Sequence, residues 1–372
     1  MNKKSRSCIL FTPASKYWLE FCYFLQAALQ AAEIEVRTVN PRTSTDLHAD
    51  LSGAIDESVL FFLSFACDCI GLETAKGQGF FELTGLPIVS FCESEPEVVS
   101  NRSRVIFALR DRQKISGNYY FAPHPGLCID NRNRERDIEV AFCYDMINPA
   151  YFRERWRSDF FMAQICEDML DILNAENRVT ARQAFDRVME RNGIYLEHWT
   201  PAVWAPDCIH AHTHQNFRSV CIGLVNGFMK NRRRDMLLHA LTRSGVCITA
   251  IPSLGVNEYL RLFQRSKIIL SADSALEYSL PWQMSCGMAS GAAVADEGNE
   301  FVDEVFTHND YIPYSHSDYG TLAERIKETL ADPSRLAEIS ENGRRVIEAN
   351  YTLAHAVEKL VLAADYSFLL HG

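Results

Sequence analysis

The sequence contains no apolar run of the length that a membrane-spanning helix needs. Such a helix takes about 20 predominantly apolar residues, and polar or charged residues interrupt every apolar run of this 372-residue chain well before that length. The first seven residues, Met-Asn-Lys-Lys-Ser-Arg-Ser, lead directly into a short strand pattern, without the apolar segment and cleavage site of a signal peptide. These absences predict a cytoplasmic protein without a membrane span.

Positive charge is scarce. The chain carries 37 Lys and Arg against 48 Asp and Glu, and its formal net charge is −11. Binding to a nucleic-acid backbone depends on patches of lysine and arginine, so this balance predicts that nucleic acid is not a partner. The basic residues form only local clusters, such as the three consecutive arginines at 232–234.

The glycine-rich turn of a dinucleotide-binding fold is missing. Residues 7–12 predict a buried strand, residues 16–32 a helix and residues 35–39 a second strand, which is a βαβ opening. The turn after the first strand reads Pro13-Ala14-Ser15 instead of Gly-x-Gly-x-x-Gly. We therefore expect neither NAD nor FAD, and no other cofactor.

Cysteine and histidine are present but do not predict disulfides or a metal site. Most of the 12 cysteines lie in apolar strand or helix patterns, which is typical of buried, reduced thiols in a chain without a secretion signal. His210, His212 and His214 alternate and would share one face of a strand, where three imidazoles could bind zinc. They lie, however, in an aperiodic stretch with two prolines, so we expect no metal.

Residues 259–297 predict a ligand site. The pattern is helix, buried strand at 268–271, polar loop, a helix from about Pro281 and a short strand at 292–295. Ligands of open α/β sheets bind at the carboxyl ends of the strands, and a helix that begins with proline leaves backbone N–H groups for an anion. The stretch therefore predicts a phosphate-bearing ligand, although any α/β protein has these elements in this order.

A second anion site is predicted further upstream. Residues 219–224 predict a strand, and residues 225–234 predict a turn into a helix that carries Lys230 and Arg232. The backbone N–H groups at the start of a helix and a cationic side chain would both bind the same anion. The alternative is a solvated helix face.

The stretch 259–297 resembles the donor-binding domain of GT-B glycosyltransferases. The resemblance rests on Ser-Lys at the foot of a strand, a polar loop and a small-residue helix that closes in Met288-Ala289-Ser290-Gly291. It is strongest over about residues 218–350 and is nearest to the family 4-like group that includes the CgeB-type spore maturation protein. In that group the helix usually reads Glu-Ala-Met-Ala-Cys-Gly, and the Glu contacts a ribose. Here Cys286 stands in that register, so Glu277 on the preceding loop is our candidate for the ribose carboxylate.

The resemblance implies an α/β fold of the GT-B type, with two Rossmann-like domains that face each other across a cleft. It implies an acceptor domain at residues 1–200 with a helical segment at 149–198, and a linker at 201–216. A nucleotide-sugar-binding domain would follow at 217–350. Residues 351–372 would form a helix that packs back on the first domain.

The resemblance also implies a metal-independent transfer of a sugar from a nucleotide-sugar donor to a protein, a glycan or another acceptor. The expected donor contacts are Gly227, Lys230, Arg232, Ser253, Gly255, Ser271, Asp273, Ser274, Glu277, Pro281, Gly287 and Gly291. Two residues that follow strands of the first domain are candidate bases, His124 and Asp145. Prolines on both sides of His124 fix its backbone, so the alternative for His124 is a residue that caps a tight turn.

Two other functions are compatible with the sequence. A GT-B-like protein that binds a nucleotide or glycan without transfer is favoured by Cys286 in place of the usual Glu. A sugar epimerase or a phosphorylase could use the same fold, although no motif marks the lysine that a pyridoxal-type phosphorylase requires.

Overall fold

The computed structural model describes residues 6–66, 69–73, 76–92, 104–110, 119–129, 135–144, 147–176, 179–194, 214–252, 255–272 and 278–371. Within these ranges the chain forms two parallel β-sheets with helices. No helix in the described ranges is both long enough and apolar enough to cross a membrane.

The first sheet has six strands: β1 (Arg6–Phe11), β2 (Ile34–Val39), β3 (Val59–Phe65), β4 (Ile88–Cys92), β5 (Val105–Leu109) and β6 (Tyr119–Phe121). Their order is β2-β1-β3-β4-β5-β6, and every neighbouring pair is parallel. All residues of β4 and β5 are buried. Such continuous apolar runs are typical of parallel strands that are covered on both faces.

Three helices in the first third of the chain accompany this sheet: α1 (Lys16–Ala31), α2 (Leu47–Ala54) and α3 (Phe80–Thr84). Helix α3 begins only at Phe80, and upstream of it Glu73 forms an isolated bridge with Gly79. The helix ends at Gly85, whose φ of 69° gives the left-handed C-cap that glycine adopts at little cost. Aromatic rings fill the core, as in the stacked pairs Phe11–Phe62 and Phe65–Phe91.

The second sheet has five strands: β7 (Ile138–Tyr144), β8 (Ile248–Pro252), β9 (Ser266–Leu270), β10 (Ala293–Asp296) and β11 (Ile312–Pro313). Their order is β11-β10-β9-β7-β8, again parallel throughout. The remaining helices are α4 (Pro149–Arg157), α5 (Phe160–Ala175), α6 (Ala181–Arg191), α7 (His214–Arg243), α8 (Val256–Arg265), α9 (Trp282–Ala289), α10 (Glu300–Val305), α11 (Tyr319–Ala331), α12 (Pro333–Asn350) and α13 (Leu353–His371).

The chain divides into two compact units. The first unit comprises Met1–Asp130, Gly255–Arg261 and Arg345–Gly372, and the second comprises Asn131–Leu254 and Leu262–Arg344. Helix α13 packs against α1, β4 and β5 of the first unit, the unit to which the sequence analysis assigned the last helix.

The division near residue 130 differs from the boundary at 201–216 that the sequence suggested. Strand β7 pairs with β8 and β9, so it and the helices α4 to α6 belong to the second unit. The reason is that an apolar strand pattern shows that a strand is buried but not which sheet it joins. Residues 201–213 of the predicted linker lie outside the described residues, and 214–216 begin α7.

The prediction of a strand at 219–224 is wrong, because these residues lie within α7. Phe217, Cys221, Val225 and Phe228 are buried at spacings of four, four and three residues, which is the period of a helix. They pack into a core with α4, α5 and α6. A short apolar run fits a buried strand or a buried helix equally well, and here the helical packing decides.

Candidate functional site

The carboxyl edge of the second sheet gathers buried polar groups. Ser271 follows β9 directly, is 1% exposed, and accepts a hydrogen bond at its backbone oxygen from Tyr314 Oη at 2.7 Å. Its own hydroxyl has no hydrogen-bond partner among the described residues. A buried hydroxyl without a hydrogen-bond partner lowers the stability of the folded protein. Ser271 is therefore a candidate contact for a ligand at this edge of the sheet.

A buried ion pair lies beside it. Arg233 of α7 places Nη1 3.2 Å from Oε2 of Glu297, the residue after β10, and the two side chains are only 4% and 3% exposed. Tyr319 Oη also donates to the backbone oxygen of Arg233, at 3.4 Å. The sequence analysis treated Arg233 as one member of a basic cluster and missed this pair. The available signal was the pair Asp296-Glu297, two acidic residues directly after the apolar run 292–295.

His316 adds a third titratable group. Its Nδ1 lies 4.0 Å from Glu297 Oε1, and the side chain is 18% exposed. Burial, and next the charge of Arg233, lower the pKa of His316 to about 4. The imidazole is therefore neutral at neutral pH and adds no charge to this edge of the sheet.

Helix α9 begins as the sequence pattern suggested, but its small residues serve packing. Pro281 occupies the N-cap position. Cys286 is 0% exposed, so its thiol lies in the core and offers nothing to a ligand. A Cβ on Gly287 would lie 2.9 Å from Ile269 Cδ1 and 3.0 Å from Val294 Cγ2, which means that the helix rests directly on β9 and β10.

Gly291 and Gly255 also have local structural roles. Gly291 has a φ of 75° just beyond the end of α9, where a side chain would be strained. Gly255 donates its N–H to Glu258 Oε2 at 2.9 Å, and a Cβ there would meet Glu20 Oε1 at 2.6 Å. These contacts explain both glycines without a ligand.

The structure removes the argument for Gly227, Lys230 and Arg232 as residues of a strand-to-helix turn. All three lie inside the continuous helix α7, far from its first turn. A Cβ on Gly227 would collide with the ring of Phe152 at 2.3 Å, and Arg232 is exposed with Nη1 3.4 Å from Asn174 Oδ1. The arginine that α7 turns toward the sheet edge is Arg233.

Several predicted residues lie outside the described residues, namely Asp145, Ser253, Asp273, Ser274, Glu277, His210 and His212. Across the described part of the chain, no group of three or more His, Cys, Asp or Glu side chains is arranged to hold a metal ion.

His124 lies in the loop that follows β6 in the first unit and is 8% exposed. The loop is fixed on both sides of the histidine. Arg110 Nη1 donates to the carbonyl of Pro123 at 3.1 Å, and the N–H of Gly126 donates to the carbonyl of Tyr351 at 2.7 Å. The loop that carries His124 is therefore held against the junction of α12 and α13.

Comparison with known families assigns the carboxyl-terminal part of the chain. Residues 232–361 match the sequence model of the family described as "Glycosyl transferase-like". The match runs from the end of α7 to α13 and includes β8, β9, β10 and α9. The match overlaps the stretch of about residues 218–350 over which the sequence resembles glycosyltransferases. No curated protein sequence matches the chain.

Solved structures resemble the chain over nearly its full length at low sequence identity. An alpha-glucosyltransferase in complex with UDP and a 13-mer DNA with a central A:G mismatch is 11% identical, with a TM-score of 0.50 over 97% of this chain and 99% of that one. Anabaena Alr3699/HepE in complex with UDP-glucose is 11% identical, with a TM-score of 0.46 over 97% and 99%. Sucrose-phosphate synthase from Thermosynechococcus elongatus is 11% identical, with a TM-score of 0.44 over 97% and 99%.

The similarity to the alpha-glucosyltransferase and the presence of two parallel sheets with helices identify a GT-B fold, as the sequence resemblance implied.

Proposed function

We propose that the protein is a glycosyltransferase that moves a sugar from a nucleotide-sugar donor to an acceptor. The observation that carries this proposal is the family match over residues 232–361. That segment contains the carboxyl edge of the second sheet, with Ser271, Glu297 and the start of α9. In open parallel sheets this edge is where ligands bind.

The donor site of the proposal lies on the segments that follow β8 and β9 and at the start of α9. Ser253, Ser271, Asp273, Ser274, Glu277 and Pro281 remain the candidate contacts, in chain positions next to that edge. Backbone N–H groups at the first turn of α9 suit the leaving diphosphate, because an oriented set of donors stabilises charge that develops on departure. The solved alpha-glucosyltransferase with the similar fold holds UDP, so UDP-sugars are the first donors to test.

Glu277 is our candidate for the ribose contact, in place of the family's usual Glu. The burial of Cys286 supports this assignment, since a thiol with 0% exposure is not available to a ribose. The proposal includes membership of the CgeB-type subgroup. This chain would differ from that subgroup in having Cys286 in the register of the usual Glu.

His124 and Asp145 are the proposed bases for an acceptor hydroxyl if the reaction inverts the anomeric centre. His124 is buried at 8% exposure, so it would act from a fixed position within its loop. The acceptor is a protein, a glycan or another molecule, and a net charge of −11 opposes a nucleic-acid acceptor.

The test is donor turnover. The full-length protein is incubated with a panel of UDP-, GDP- and dTDP-sugars, and free nucleoside diphosphate is measured with and without candidate acceptors. We expect nucleoside diphosphate to be released from only one of the three classes, the UDP-, GDP- or dTDP-sugars. Glu277→Gln should raise the dissociation constant of that donor about tenfold or more, as a lost hydrogen bond to a charged group predicts. Cys286→Ser is the matched control and should leave donor affinity nearly unchanged.

The second candidate function is nucleotide binding without transfer, which the buried Cys286 in the register of the family's Glu favours. Calorimetric binding of a nucleotide sugar without release of nucleoside diphosphate under any acceptor condition would support it. Absence of both binding and release for every donor would overturn the two functions together.

A further inference from the structure

The loop that carries His124 follows β6 at the carboxyl edge of the first sheet, the edge at which ligands of open α/β sheets bind. It reads Ala122-Pro123-His124-Pro125-Gly126. Each proline fixes its own φ and lacks a backbone N–H, and Pro125 restricts the backbone of His124 to extended conformations. The loop is therefore stiff but has few donors of its own, so its position on the sheet depends on hydrogen bonds from other segments.

Arg110 makes such bonds on the amino-terminal side of the histidine. It follows β5 directly, is 2% exposed, and donates through Nη1 to the carbonyl of Pro123 at 3.1 Å and to that of Ala122 at 3.5 Å. The carbonyl of Pro123 belongs to the peptide group that joins it to His124. The arginine thus holds the backbone directly before the histidine.

Aromatic rings hold the guanidinium itself in place. Its central carbon lies 5.1 Å from the ring centroid of Phe21, 5.6 Å from that of Trp18 and 5.8 Å from that of Phe91. A planar cation is stabilised by such rings, which lysine with its compact ammonium group does not match. Arg110 is therefore a fixed donor rather than a flexible one.

Backbone bonds fix the two ends of the loop. The N–H of Ala122 donates to the carbonyl of Leu109 at 2.8 Å, which continues the pairing of β5 with β6. The N–H of Gly126 donates to the carbonyl of Tyr351 at 2.7 Å, and Gly126 forms an isolated parallel bridge with Thr352. Together with Arg110, these bonds hold the loop at both ends and directly before His124.

We propose that Arg110 is a positioning residue for sugar transfer, which it supports by keeping the His124 imidazole in the position of a general base. The proposal rests on the proposed function and selects His124 rather than Asp145. The acceptor hydroxyl gives its proton to an imidazole nitrogen while its oxygen bonds to the anomeric carbon. The bond from that carbon to the nucleoside diphosphate breaks, and the diphosphate keeps the electron pair. A misplacement of about 1 Å costs such a step about 10²-fold in rate.

The matched control for Arg110→Met is Arg37→Met. Arg37 lies on β2, at the opposite edge of the same sheet from β6, and its Nη1 also donates to a backbone carbonyl, that of Ala54 at 2.7 Å. Both variants therefore lose an arginine that binds a carbonyl in the first unit, but only Arg110 binds the loop of His124.

The first measurement is amide hydrogen exchange of the full-length protein, which needs no substrate. We expect faster exchange over residues 119–129 in Arg110→Met and unchanged exchange there in Arg37→Met, because only the first variant removes an anchor of this loop. Unchanged exchange over 119–129 in Arg110→Met would show that Arg110 does not hold the loop and would overturn the proposal.

The second measurement is steady-state turnover per folded molecule, with a donor that the wild type uses. Arg110→Met should lower kcat about 10²-fold with the KM for the donor unchanged, and His124→Gln should lower kcat by about 10² to 10⁴-fold. The double variant should be no slower than His124→Gln alone, because Arg110 acts through the imidazole. Arg37→Met should keep the wild-type kcat. If Arg110→Met does not fold, Arg110→Lys takes its place in every comparison.

The outcomes separate this proposal from the proposed function. Losses that add in the double variant, equal losses of kcat in Arg110→Met and Arg37→Met, or wild-type turnover of His124→Gln would overturn the positioning role while sugar transfer stands. Absence of nucleoside diphosphate release by the wild type with every donor would instead overturn the proposed function, and the role of Arg110 in transfer with it.

Discussion

The two units each bury an arginine next to the carboxyl end of a parallel sheet, but they treat its charge differently. In the second unit, Arg233 faces Glu297 at 3.2 Å, and both side chains are almost completely buried. In the first unit, Arg110 is bound by two backbone carbonyls and surrounded by aromatic rings. No carboxylate faces Arg110 among the described residues.

The two arginines differ in what compensates the buried charge. In a buried ion pair, the attraction between the two charges offsets the desolvation cost of both. Removal of one partner leaves the other charge buried and unpaired. Backbone carbonyls and aromatic rings stabilise a buried cation without a carboxylate beside it, and these are the partners that the described residues give Arg110. We therefore assign a structural role to both arginines, through an ion pair for Arg233 and through carbonyls and rings for Arg110.

The largest expected effect comes from breaking the pair in the second unit. Glu297→Gln should lower the free energy of unfolding by about 3 to 5 kcal/mol, because Arg233 would remain buried and unpaired. Urea denaturation measures the change. Glu324→Gln on the exposed face of α11 is the control and should stay within about 0.5 kcal/mol of the wild type. A loss below about 1 kcal/mol for Glu297→Gln would show that the pair is not needed for stability.

The corresponding change in the first unit should have a smaller effect. Arg110→Met keeps a long side chain against Phe21 and Trp18 but removes the donors to Ala122 and Pro123. We expect a loss of about 1 to 3 kcal/mol in urea denaturation, since buried carbonyls lose a partner while no carboxylate is left unpaired. Arg325→Met, which removes an exposed donor to the carbonyl of Pro313, is the control. A loss as large as that of Glu297→Gln would contradict the contrast between the two arginines.

The smallest effect concerns His316 and depends on pH. Its pKa is about 4 in the folded protein and about 6.5 in the unfolded chain. Between these values the unfolded chain binds a proton that the folded protein does not, so this contribution to stability is complete above about pH 6.5 and is lost as the pH falls toward 4. His316→Asn should therefore lose less stability than the wild type between about pH 7 and pH 5.

The control for this measurement is His239→Asn, because the His239 side chain is 70% exposed. Its difference from the wild type in urea denaturation should be the same at both pH values. A parallel pH dependence for the wild type and His316→Asn would show that burial near Arg233 does not set the protonation of His316.

Local sequence determined most of the elements and the type of fold. The apolar runs that became β1, β2 and β9 and the helical pattern that became α1 depend on interactions along a short segment, so they could be read directly. The small-residue stretch that ends in Gly291 likewise identified the GT-B resemblance and the edge at which Ser271 lies. The strand and helix patterns follow from spacing and from the conformational limits of single residues, whereas the GT-B type of fold was implied by the family resemblance.

Tertiary structure alone decided which sheet β7 joins, that residues 219–224 are helical, and that Arg233 rather than Lys230 or Arg232 turns inward. It also decided that Arg110 is buried and donates to the carbonyls of Ala122 and Pro123. The physical reason is that burial and charge compensation depend on residues distant in sequence. The sequence alone does not distinguish an arginine that pairs with a glutamate 64 residues away, as Arg233 does, from one that donates to backbone carbonyls, as Arg110 does.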